Sequence, residues 1–348
     1  MTYSYVVQRI LSHYPHLEPE SVSLRLRHSS FVHVHKRYLY FEVPKAACTQ
    51  MKELLRRQEG APPIQLFAGK LRETRREMFI HARENVPLPS LVDLDDATQK
   101  EVLESGGFFR FAIVRNPYSR VVSAWKNKVV PCEPGAERLY LEIKGRLPDM
   151  HAKELIAFDE FVSYLGKIDL RASDPHWRRQ VDHLFLDALS FSHIGKVEDM
   201  SAAMDRFQQH LGLAEPLMTG KKNVSAPVGL ATYDQNLADE VYSLYREDFE
   251  RLGYNRESWR DGQSAAPATQ KAVIPEARFY DEIIERNLII SGLYAERERL
   301  QADLKRVSRL HLLPLVNGLA GVRRRVVAVA SKIRGGFRAM LGSESVPH

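Results

Sequence analysis

Two short stretches of this sequence carry residue types that hold phosphate. In the first, Val43-Pro44-Lys45-Ala46-Ala47-Cys48-Thr49-Gln50-Met51-Lys52 joins an apolar run to a helical one. A helix N-terminus offers backbone N–H groups without intrahelical partners and the positive end of a dipole, which together favour a bound anion. Lys45 adds a cation on a flexible stem, Ala46 and Ala47 let the backbone approach closely, and Thr49 adds a hydroxyl. The glycines of a GxxxxGK[ST] loop are missing here and throughout the chain. In the second stretch, Arg115-Asn116-Pro117-Tyr118-Ser119-Arg120-Val121-Val122-Ser123-Ala124, an arginine closes an apolar run and Ser123 lies on the helix that follows. An arginine fork makes charge-assisted contacts to phosphate, and the serine hydroxyl can share the load. Alone, the first stretch reads sooner as an ordinary strand–turn–helix with surface lysines, and the second as an arginine capping a sheet edge.

The surrounding elements would place both at strand ends. Tyr38 to Val43 is a short aromatic and apolar run stopped by Pro44, which predicts a buried strand, and a helix follows with Thr49 as its N-cap. Met78-Phe79-Ile80 is a second apolar run, ending in His81. Leu94 to Leu103 predicts a surface helix. Phe108 to Val114 is the clearest strand, and Tyr118 to Val129 continues as a helix. Further on, helices are predicted over Ala157–Leu165, Asp199–Leu211 and Ala238–Phe249, with a strand over Ser190–Val197. Strands alternating with helices predict an α/β fold with a central, largely parallel sheet flanked by helices. In such sheets ligands bind beyond the strands' carboxyl ends, where Arg115 would sit.

Composition narrows the class. The 348 residues carry 50 Lys+Arg against 44 Asp+Glu, a net charge of +6, with 44% hydrophobic and 27% charged residues. That usage is ordinary for a globular protein and excludes collagenous or disordered chains. No run reaches the ~18 apolar residues of a membrane span, and the start lacks the pattern of a signal peptide. Two cysteines, Cys48 and Cys132, exclude a disulfide framework and suit a reducing cytosol, so a cytoplasmic location is expected. Almost the whole charge surplus lies after Pro314, where Arg323, Arg324, Arg325, Lys332, Arg334 and Arg338 face only Glu344. The rest is near neutral, so no nucleic-acid partner is expected.

The expected organisation is a catalytic domain over 1–260, a linker over 261–276, a long helix over 277–313 and a basic amphipathic tail over 314–348. Along the helix, Ile283, Ile290 and Leu304 share one heptad position and Leu293, Leu300 and Val307 another, interrupted by Arg286 and Arg297. A homodimeric coiled coil over 283–307 and an amphipathic helix on its own domain both stay open. For the tail, peripheral contact with an anionic membrane, a docked partner and poor order stay open.

Taken together, the two phosphate-type stretches resemble the 5′-phosphosulfate loop and the 3′-phosphate-binding strand–helix of sulfotransferases. The likeness is sharpest to the carbohydrate sulfotransferase family of chondroitin and dermatan 4-O- and HNK-1 enzymes. Those carry a Pro-Lys-x-Ala-Cys-Thr loop and an Arg-x-Pro-x-x-Arg-x-x-Ser-Ala segment. Three later segments continue it in order: His176-Trp177-Arg178-Arg179-Gln180, Ile194-Gly195-Lys196-Val197-Glu198, and a closing region from Asn223-Val224-Ser225 to Gly253-Tyr254.

The resemblance implies a P-loop-like sulfotransferase fold and transfer of a sulfuryl group from 3′-phosphoadenosine-5′-phosphosulfate (PAPS) to a carbohydrate or glycolipid hydroxyl, leaving PAP and needing no metal. Lys45 would meet the charge on the departing phosphate. Ala46, Ala47, Cys48, Thr49 and Lys52 would cradle the 5′-phosphate, and Arg115 and Ser123 the 3′-phosphate. Lys196, Lys222 and Asn223 would close over the nucleotide. The acceptor needs a base, and histidine suits neutral pH. His81 comes first because related enzymes place a catalytic His or Glu between the two donor motifs. His176 is its competitor, and Glu84 a further candidate. His33 and His35 read as a solvated strand entry.

The family's vertebrate members are membrane-anchored and richer in cysteine, so a cytoplasmic, bacterial member fits this sequence better. Three rivals stand beside the main reading: a sulfotransferase for protein tyrosine or small alcohols, a nucleotide-dependent kinase, and a non-catalytic nucleotide-binding interaction protein. The kinase would need a Mg²⁺-binding set that the sequence does not display.

Overall fold

The computed structural model describes residues 3–61, 83–130, 137–145, 156–214 and 233–261, with isolated positions at 217, 290, 299–303 and 306. His81, Lys222, Asn223, Cys132, most of the linker and the whole tail over 314–348 lie outside the described residues, as does the side chain of Glu84. Within the expected long helix, positions 290, 299–303 and 306 are helical. The chain divides into two units, Met1–Ile284 and Glu285–His348, and every element below belongs to the first. No described helix is long and apolar enough to cross a membrane.

Four strands form one sheet in the order β1-β2-β3-β4: β1 (Ser30–His33), β2 (Tyr38–Phe41), β3 (Phe109–Val114) and β4 (His193–Lys196). β2 pairs with β3 and β3 with β4 in parallel, with Phe41 opposite Ala112 and Val114 opposite Lys196. β1, not foreseen as a strand, runs antiparallel to β2. His33 closes that strand instead of lying in a solvated entry. Its ring nitrogen sits 3.3 Å from Glu59 Oε2, and the side chain is only 13% exposed.

The near-continuous apolar runs of β2 and β3 follow from burial on both faces. Alternation sorts them: Leu39, Phe41, Ala112 and Val114 pack towards α1 (Tyr5–His13) and α2 (Pro19–Ser29). Tyr38, Tyr40, Phe111 and Ile113 face α3 (Cys48–Gln58) and the helix after β4. The other helices are α4 (Asp96–Glu104), α5 (Pro117–Ala124), α6 (Glu137–Lys144), α7 (Phe158–Leu165), the single turn α8 (Gln180–His183), α9 (Met200–Leu211), α10 (Gln235–Leu244) and α11 (Arg246–Leu252).

Two predicted helices differ in detail. The segment after β3 is α-helical to Ala124 and then passes into a π-helical turn, Trp125–Val129. The helix foreseen over Ala238–Phe249 is broken at Tyr245, whose φ of −112° and ψ of 21° leave helical geometry. Its hydroxyl instead donates to Trp177 O at 2.5 Å.

Where β4 meets α9, only glycine fits. A Cβ on Gly195 would lie 2.4 Å from Ala203 Cβ and 2.9 Å from Ile113 Cδ1. Gly195→Ala is expected to cost about 1–3 kcal/mol through overpacking, read as a lower denaturant midpoint at unchanged slope. Adding Ala203→Gly should restore part of that loss.

Candidate active site

The parallel register brings the ends of β2, β3 and β4 to one edge of the sheet, and the loop of Lys45, the Arg115 turn and Lys196 all leave from there. Topology thus joins segments that are far apart in sequence.

The loop after β2 has a specific shape. Lys45 and Ala47 both adopt left-handed backbone, with φ of 67° and 58°. For residues with a Cβ this costs of order 1 kcal/mol each, so neighbours must hold it. Two arginines do so from below: Arg120 Nε donates to Pro44 O at 3.0 Å, and Arg115 Nη1 to Lys45 O at 3.3 Å. The loop leads directly into the N-terminus of α3, a helix end of the kind that favours anions. Ala47, not Thr49, is the N-cap, and its methyl side chain makes no capping bond. Thr49 is instead the second helical residue.

Beneath the loop, Lys52 Nζ lies 2.6 Å from Glu42 Oε2, with both side chains almost wholly buried. Lys52, expected at the 5′-phosphate, thus has a buried carboxylate against its ammonium. Cys48 is buried too, and burial first, then the charge of Glu42, pushes its thiol up to about 11. It packs as a small neutral side chain.

The second strand end is built around Arg115. Its backbone is clasped by Gln180, whose side chain accepts from Arg115 N at 2.9 Å and donates to Arg115 O at 2.8 Å. Gln180 is itself pinned by Asp248, fully buried, which accepts from Gln180 N at 2.9 Å and Val181 N at 3.0 Å. Burial is the main cause that raises the Asp248 carboxyl to about 6. The Arg115 guanidinium donates from Nε to Ser119 Oγ at 3.2 Å. Ser123 lies one turn further along the same helix face and is half-buried. Glu198 accepts from Asn116 N at 2.8 Å and from the Tyr254 hydroxyl at 3.1 Å. Lys196 Nζ donates to Gly253 O at 2.7 Å and lies 4.4 Å from the Tyr254 ring centre. These contacts tie the far end of the described unit to the sheet edge.

His176 makes the third part. Its Nδ1 lies 2.7 Å from Asp174 Oδ1, and the same oxygen accepts from His176 N at 2.8 Å. Burial pulls the imidazole below its ordinary value near 6.5, Asp174 opposes that, and the positive charges of Lys128 and Lys45 push it further down. His176 is therefore within the electrostatic reach of Lys45, the residue foreseen at the loop, and of Lys128, which the sequence did not single out. Lys128 comes from the π-helical turn, a distortion common at functional sites. Among the described residues, no group of three or more His, Cys, Asp or Glu side chains could hold a metal ion.

The comparisons with known proteins fit this arrangement. The model of the sulfotransferase family matches residues 28–255, a span holding the loop, the Arg115 turn and the His176 segment. This chain belongs to the sulfotransferase family. Among curated relatives it is similar to carbohydrate sulfotransferase 14 of Danio rerio, 27% identical over 234 residues, 63% of this chain and 60% of the relative. It is also similar to carbohydrate sulfotransferase 10 of Pongo abelii and of Homo sapiens, each 26% identical over 63% of this chain and 64% of the relative. The chain thus spans about 60–64% of the length of these relatives. No solved structure matches it.

Within this family member, four side chains make contacts that the sequence alone left unread: Asp174, Lys128, Gln180 and Arg120. Of these, only Asp174 had a local signal, an aspartate two residues before a histidine, which is the spacing of a side-chain turn onto the His176 N–H.

Proposed function

We propose that the protein moves a sulfuryl group from PAPS to a hydroxyl of a carbohydrate or glycolipid. The observation that carries this is the pairing of the Lys45 loop with the Arg115 turn at one sheet edge, bonded directly through Arg115 Nη1 and Lys45 O. Such a pair suits a donor with phosphate at both its 5′ and 3′ positions. The names of the curated relatives support a carbohydrate acceptor.

In this reading the acceptor oxygen attacks sulfur as the bond from sulfur to the bridging phosphate oxygen breaks. The acceptor proton passes to a base, and the described residue best arranged for that is His176. With Nδ1–H directed to the Asp174 carboxylate, Nε2 of the neutral ring carries the lone pair. Lys45 and the backbone at the start of α3 would meet the charge that grows on the leaving phosphate, the kind of preorganised stabilisation that contributes most to catalysis.

Arg115→Ala should weaken PAP binding about 10- to 100-fold, the worth of a lost charge-assisted contact. It should change kcat at saturating donor far less, and titration calorimetry beside initial rates reads both. The function itself is tested by incubating the protein with ³⁵S-labelled PAPS and a panel of glycans, glycolipids, tyrosyl peptides and small alcohols. Label on a glycan or glycolipid is expected. Label confined to peptides or alcohols would move the acceptor class, and no transfer to any hydroxyl would overturn the proposal.

A further inference from the structure

Among the described residues, Arg120 is the largest side chain that is fully buried, at 1% exposure. Among the described residues its guanidinium meets no carboxylate within ion-pair distance. It donates instead to three backbone carbonyls: from Nε to Pro44 O at 3.0 Å, from Nη1 to Arg178 O at 2.8 Å and from Nη2 to Pro175 O at 2.9 Å. Burial pulls this cation below its ordinary value, and the carboxylates of Asp248 and Asp174, beyond ion-pair distance, oppose that. Three hydrogen bonds from a charged donor, at about 1.5–3 kcal/mol each, offset the cost of its burial. An apolar residue there would leave three carbonyls without their donor, so the fork does more than fill space.

Its effect lies in which carbonyls it holds. Pro44 and Pro175 each come immediately before a residue of the site, Lys45 and His176. In a planar trans peptide the C=O and the following N–H point in opposite directions. Fixing Pro175 O on Arg120 therefore turns the His176 N–H the other way, and it donates to Asp174 Oδ1, the oxygen that also holds Nδ1 of the ring. Fixing Pro44 O sets the first peptide of the loop that carries Lys45. The third carbonyl, of Arg178, lies two residues before Gln180, which clasps Arg115.

We infer that Arg120 is a positioning residue: one buried fork sets the Lys45 loop and the Asp174–His176 pair in a single register, so that leaving-group stabilisation and proton removal act on the same sulfuryl group. This rests on the function proposed above. Lysine keeps the charge but reaches carbonyls as a point donor, and methionine keeps the volume without donors.

The test compares Arg120→Lys and Arg120→Met with wild type, counting active sites by PAP titration so that only folded molecules enter kcat. In both variants kcat should fall about 100-fold, the scale of an ångström-sized misplacement. PAP affinity should stay within about threefold of wild type, because Arg115 keeps its own contacts to Lys45 O, Ser119 and Gln180. The acid limb of the kcat–pH profile should shift as the Asp174–His176 pair loosens. Wild-type kcat and an unmoved limb in either variant would overturn the inference, and so would loss of every PAP-binding site in both, which would give Arg120 to the fold alone. Failure of the wild type to transfer sulfuryl groups at all would instead strike the proposed function.

Discussion

Lys45→Ala is expected to lower kcat about 100- to 1,000-fold, the loss seen when one preorganised donor to a developing oxyanion is removed. The loop that presents Lys45 is held from beneath by Arg120 and Arg115, through the carbonyls of Pro44 and Lys45 itself. Those contacts involve backbone and survive the substitution, as does the left-handed φ, which alanine adopts with the same strain as lysine. PAP affinity should therefore fall far less than kcat. Single-turnover kinetics with labelled PAPS and calorimetry with PAP separate the two. Equal losses in both would make Lys45 a binding residue rather than one that acts in the transition state.

The second large effect is at His176. Replacement by alanine should reduce kcat about 100- to 10,000-fold, and the pH dependence carries its signature. The base is the neutral imidazole, so activity is lost as pH falls. Because burial and the charges of Lys128 and Lys45 outweigh Asp174, that acid limb should lie below the ordinary value near 6.5. Asp174→Asn removes the groups that raise it and should move the limb to lower pH. Lys128→Met removes a cation that lowers it and should move the limb to higher pH. Stability has the matching sign: the unfolded chain takes up this proton first, so His176 lowers stability as pH falls through about 6.5. A parallel His81→Ala series divides the base role. If His81→Ala abolishes turnover while His176→Ala leaves kcat and its acid limb in place, the base is His81.

The strands that matter most were legible because β2 and β3 are buried on both faces and closed by Pro44 and by Asn116-Pro117. β1 was not, since Ser30-Phe31-Val32-His33 follows α2 without a break and owes its strand geometry to pairing with β2. The break at Tyr245 was hidden by apolar spacing that continues across it. There the Tyr245 hydroxyl bonds to Trp177, remote in sequence. At the site, Lys45 and Arg115 stood out only because their two strand-end stretches occur together, since either alone reads as an ordinary junction. The N-cap was misplaced because nothing in Lys45-Ala46-Ala47 announces positive φ without glycine. The buried pair of Lys52 with Glu42, one residue beyond β2, was not legible, because nothing in the local spacing announces it. Arg120 and Gln180 lay within quoted motifs, yet their partners are peptide groups on other segments, which no local pattern encodes.

The central claim, a pocket built for a nucleotide with a 3′-phosphate, meets its most direct test in calorimetric titration with 3′,5′-ADP beside plain 5′-ADP, with and without Mg²⁺. Micromolar binding of the first, about 10- to 100-fold tighter than the second and indifferent to Mg²⁺, is the result this account predicts. Equal binding of the two nucleotides, binding that requires Mg²⁺, or no binding of either would contradict it.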